Sequence, residues 1–195
     1  MAEVSELMQA VYRGDQPRVA ELLAGDPQLD VFEAAALGRA DRVGELLERD
    51  PVLARTLAPD GFTALHLVAF FSHDLDSARL LIAAGADPGA PAQNAMAVTP
   101  LGSAAARGAH AVAVALLDAG ADVAVPQHGG YTPLHSAGAN GDTELVELLL
   151  ARSADPALAA DDGRTPAALA REREHPEVAE LLEAATRSRA SRRSP

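Results

Sequence analysis

The chain reads as all-α, a solenoid of stacked helix-turn-helix units joined by short β-hairpin-like turns. Apolar residues make up 48% of its 195 positions and aromatics only 3%, so the core is built of Ala, Leu and Val, which favour close-packed helices over a sandwich. A pattern also recurs: Thr63, Thr99, Thr132 and Thr165 stand 36, 33 and 33 residues apart, and Asp87, Asp122 and Asp155 stand 35 and 33 apart. Self-similarity at such a period marks a repeat architecture, in which each unit buries its apolar face only against its neighbours.

In chain order, "LMQAVYRGDQPRVAELLAGDP" and "VFEAAALGRADRVGELLERDP" each carry a helix-pair pattern, with Val43, Leu46 and Leu47 echoing Val19, Leu22 and Leu23. Both lack the turn that opens the later units. Residues 1–29 are therefore expected to form an N-terminal capping pair and 30–57 a degenerate first repeat. Full repeats follow at 58–92, 93–125 and 126–158. Their segments "DGFTALHLVAFFSHDLDSARLLIAAGADP" and "GGYTPLHSAGANGDTELVELLLARSADP" are aligned without a gap up to the end of the second helix.

Each part of a unit has its own chemistry. Asp60-Gly61 and Asp162-Gly163 supply the positive-φ tolerance of a tight turn. Thr132 caps a helix that starts at Pro133, whose missing N–H costs nothing there. Leu145, Val146, Leu149 and Leu150 form the apolar stripe of a second helix, and Gly85 and Gly120 end theirs in the left-handed conformation. In the last unit, 159–185, Glu183 replaces the apolar Leu150 and Glu172, Arg173 and Glu174 give a polar outer face, as a C-terminal cap requires. The basic tail 186–195, "TRSRASRRSP", has no large apolar residue and is expected to be disordered.

The motifs "TPLH" at Thr132 to His135 and "AGAD" at Ala84 to Asp87 and Ala119 to Asp122 resemble those of ankyrin repeats. The resemblance covers about residues 58–184 and implies a non-enzymatic module that binds a protein partner through a concave face of turn tips and first helices. It also implies that His66 and His135 hydrogen-bond locally to the turn and the adjacent repeat. His73 and His175 fall at the turn between helices, where the family often carries histidine.

Composition excludes several chemistries. Cysteine is absent, which removes disulfides, thiolate metal sites and cysteine nucleophiles. No lysine occurs, so all 16 basic residues are arginine and neither a Schiff base nor a P-loop lysine is available. Against them stand 28 acids, a net charge of −12 that disfavours nucleic acid. No apolar run reaches membrane-spanning length and no leader pattern opens the chain, so a cytoplasmic protein is expected. From the alanine-rich, lysine-free composition alone, a GC-rich, bacterial genome is expected.

No nucleophile elbow surrounds Ser103 or Ser136, and no pair of histidines has i, i+4 spacing, so no catalytic residue, metal or cofactor is expected. The alternative is an enzyme on the repeat scaffold using His110, His128 and His135. A monomer is expected, with an oligomerisation module as the structural alternative.

In the repeat frame, the concave positions are the residue before each motif threonine and the last two of each first helix. They place Phe62, Phe70, Phe71, Val98, Arg107, Tyr131 and Asn140 at a partner-binding surface, with Met96 and His128 on adjacent turns. Aromatics and arginine are the residues most enriched at binding hot spots. The competing reading packs Phe70 and Phe71 onto the irregular first repeat and the "LARTLAP" segment. The three residues beyond the period are assigned to the loop "APAQNAMAVTP", which either projects toward a partner or is merely tolerated.

Overall fold

The structure is a computed structural model that describes residues 3–193. Twelve helices and no strand occur among the described residues: α1 (Glu6–Arg13), α2 (Gln16–Leu23), α3 (Val31–Ala36), α4 (Ala40–Arg49), α5 (Ala64–Leu67), α6 (Leu75–Ala83), α7 (Pro100–Arg107), α8 (His110–Asp118), α9 (Pro133–Ala139), α10 (Thr143–Ala151), α11 (Pro166–Glu172) and α12 (Pro176–Arg193). They form six antiparallel pairs. Odd-numbered helices stack directly on one another in one layer, and even-numbered helices lie behind them. Small residues let the front layer close up: Ala34, Ala35, Ala69, Ala104, Ala105, Ala137, Gly138 and Ala170 are all buried.

Local chemistry sets each helix end. Asp15, Asp74 and Asp142 accept hydrogen bonds from the backbone N–H groups that open α2, α6 and α10, while Thr99 and Thr165 cap α7 and α11. Asp30 and Glu33 form a reciprocal capping box on α3. Between the two helices of each pair the chain turns through one left-handed residue, Gly14, Gly38, His73, Gly108, Gly141 or Glu174. The hairpin-like turns join edge to edge through backbone hydrogen bonds from Gln93 to Gly61, His128 to Met96 and Asp161 to Gly129.

The ungapped alignment does not survive in the 58–92 segment. From Thr63 to its left-handed corner, His73, is one residue longer than from Thr99 to Gly108 or from Thr132 to Gly141. The extra residue is absorbed where α5 widens into a π turn over Val68–Ser72, closed by the His73 N–H donating to the Val68 carbonyl at 2.8 Å. Of the three residues beyond the period, one thus belongs to the helix and two to the loop before Thr99.

The tail departs from expectation as well. Helix α12 runs unbroken to Arg193, so residues 186–193 are helical; Ser194 and Pro195 lie outside the described residues. Arginine and alanine are good helix formers, and Arg189 donates to the Ser153 and Ala154 carbonyls just past α10. Local propensity and that anchor outweigh the segment's lack of large apolar residues.

Candidate functional site

Phe62, Phe70, Phe71, Met96 and Val98 come together around a single hollow of about 310 Å³ on the side of the odd-numbered helices. The π turn places Phe70 and Phe71 side by side with ring centroids 4.9 Å apart at 66°. Tyr12 of α1, with Leu67, Ser103, Ala106 and Gln127, completes the wall. Tyr12 stacks on Phe71 at 5.3 Å and 25°, and its hydroxyl donates to Asp60 across 48 residues of sequence. Burial, then the Asp60 hydrogen bond, push the Tyr12 phenol well above its ordinary range, so it stays protonated and donating.

Phe71 leans on the N-terminal cap through Tyr12, yet Phe62, Phe70 and Phe71 all remain half-buried and accessible. "LARTLAP" contributes nothing to the hollow. Met96, held at the tip of the long loop, is 55% exposed. Asn94 fixes that tip by donating to the Asp60 carbonyl at 2.9 Å and accepting from the Met96 N–H at 3.0 Å.

Val98 is corrected from an exposed to a buried position, at 5% exposure. Its carbonyl accepts from both Ala92 and His66, which draws the strand-like segment inward until the side chain floors the hollow. Arg107 is exposed, with its guanidinium carbon 5.0 Å above the Phe70 centroid. Asn140, although exposed, acts as a clamp, donating to the Ala105 and Ala106 carbonyls of the preceding repeat.

Tyr131 lies outside the hollow. Its hydroxyl donates to Asp162 and accepts from Arg164, whose guanidinium covers the ring at 5.6 Å. The Arg164 and Tyr131 hydrogen bonds hold the Asp162 carboxyl far below the usual carboxylate range. His128 is exposed at a turn tip, its N–H bound to the Met96 carbonyl, and takes no part in the hollow.

The motif histidines are fastenings. The Thr63 N–H donates to His66 Nδ1 at 3.2 Å, which leaves the proton on Nε2 to donate to the Val98 carbonyl at 2.9 Å. His135 repeats this with Thr132 and the Arg164 carbonyl. Burial lowers both, His66 to about 4. His110 faces Asp142 at 2.7 Å and Glu144 at 3.3 Å, apart from His128 and His135. Among the described residues no group of three or more His, Asp and Glu is placed to hold a metal ion, and no helix is long and apolar enough to cross a membrane.

Sequence reasoning missed Tyr12, because its helix pair lacks the motif that defines the frame. The contact also passes over α3, which stands between α1 and α5 in the stack, so side-by-side stacking of first helices does not announce it.

No curated relative matches the chain. A family profile described as ankyrin repeats (3 copies) matches residues 7–127 and 101–188, which together span nearly all of it. With six helix pairs, threonine-capped first helices and hairpin-like turns joined edge to edge, the chain belongs to the ankyrin repeat family.

Proposed function

We propose that the chain is a non-enzymatic module that binds a protein partner through its concave face, centred on the aromatic notch. Ankyrin repeats are generally protein-interaction modules. The observation that carries the reading is the notch itself: three half-buried phenylalanines and an exposed methionine around an open apolar hollow. A soluble surface without an occupant rarely gathers such residues, and π turns inside helices occur often at functional sites. A preformed wall also spends little ordering entropy on binding. The enzyme reading fares worse, since His110 pairs with Asp142 and Glu144, His135 is buried in a repeat seam, and His128 is exposed at a turn tip. In this reading the chain works as a monomer in the cytoplasm.

A photo-crosslinking residue at Met96 tests the surface, with one at Val114 on α8 as the control. The expected outcome is a discrete crosslinked partner from position 96 alone, lost in the Phe62→Ala, Phe70→Ala double variant with helical circular dichroism unchanged. Equal crosslinking from both positions, or none from 96, refutes it.

A further inference from the structure

Resting on that reading, we propose that the segment held in the notch has mixed charge in a fixed order: a cationic residue, a large apolar anchor, then a carboxylate that meets Arg107. The hollow of about 310 Å³ lies at the small end of the ~300–1,000 Å³ typical of ligand pockets, a size suited to one anchoring side chain. Arg107 marks one rim. Its flat face is taken up by Phe70, which leaves the edge N–H donors for an incoming carboxylate. It makes no ion pair among the described residues, whereas Arg164, at the other cation–π pair of this face, is already bound to Asp162 and Glu172.

The Tyr12 side of the notch carries the other sign. Tyr12 is the shared wall between the notch and a second hollow of about 420 Å³, where Glu3, Asp30 and Asp60 lie beside Val4 and Phe32. None of the three acids forms an ion pair among the described residues. Two apolar hollows that share Tyr12, with acids beyond it and Arg107 over Phe70, thus give this face a charge polarity that fixes the direction of a bound segment. A purely acidic segment would also be repelled by a body of net charge −12, so a cationic end is needed to bring it in.

The experiment selects binders to the full chain from a random peptide display library and measures one synthetic consensus peptide by fluorescence anisotropy. The expected consensus has a large apolar residue with Lys or Arg on one side and Asp or Glu on the other. Arg107→Glu weakens that peptide by on the order of tenfold, and exchanging the peptide's acid for Arg restores binding to the variant. Failure to enrich such a motif, equal affinity for wild type and Arg107→Glu, or displacement of the peptide by decanoic acid at comparable affinity each overturns it. Specific crosslinking at position 96 with no effect of Arg107→Glu removes this inference and leaves the interaction reading in place. Absence of that crosslink removes both.

Discussion

Acidification should unfold this array from its repeat seams, and His66 allows the size of the effect to be worked out. The imidazole is 1% exposed, accepts from Thr63 and donates to Val98 of the next repeat, so only its neutral form fits. Burial lowers its pKa from the ordinary 6.5 to about 4. Between those values the unfolded chain binds a proton that the folded one refuses. Stability from this group is therefore complete above pH 6.5 and is lost as pH falls toward 4. For a pKa of 6.5 unfolded and about 4 folded, the loss from pH 7 to pH 5 is about 2 kcal/mol. Urea denaturation followed by far-ultraviolet circular dichroism at pH 7, 6 and 5 measures it, with His66→Gln as the comparison. The wild type should lose about 2 kcal/mol more than the variant across that range. Parallel pH dependences for the two proteins would refute the assignment of a buried neutral imidazole. His135, lowered by burial in the same direction, supplies part of the slope that remains in the variant.

Two further outcomes concern packing. A Cβ at Gly138 would lie 2.8 Å from the Pro166 carbonyl oxygen and 3.3 Å from Leu182, so Gly138→Ala should cost about 1–3 kcal/mol in a urea melt; an unchanged midpoint would show that the repeats slide apart freely. Removing residues 186–195 deletes Arg189 from the Ser153 and Ala154 carbonyls, and a loss of roughly 1 kcal/mol with a drop in helical ellipticity is expected; no change in ellipticity would contradict the helical assignment of that segment.

How much of this was legible in the sequence depended on whether a feature repeats. Threonine caps, turn glycines and the seam histidines recur at fixed spacing, and each stands in the structure where the period puts it. The π turn was hidden because an inserted residue among Val68, Ala69, Phe70 and Phe71 leaves the apolar pattern intact. Its trace was the spacing from Thr63 to Asp87, 24 residues against 23 from Thr99 to Asp122 and from Thr132 to Asp155, which puts one extra residue inside the helix pair. Half of the notch was visible as phenylalanines in the frame's variable positions. Tyr12 was invisible because its contact with Phe71 crosses from an irregular unit into a regular one. Val98 was misplaced because burial at its position depends on how far the preceding loop is drawn in, which the carbonyl's two hydrogen bonds decide.

The π turn has a consequence for how such an array diversifies. Every helix pair ends its first helix at a left-handed corner, and at Asp15, Asp74 and Asp142 the second helix begins at a fresh cap. The corner resets the register, so a residue gained upstream alters one groove wall and leaves the pitch of the stack beyond it untouched. Grooves can then change depth one unit at a time through single-codon insertions. That is a quieter route to new recognition than the loop extensions in which variation is usually sought.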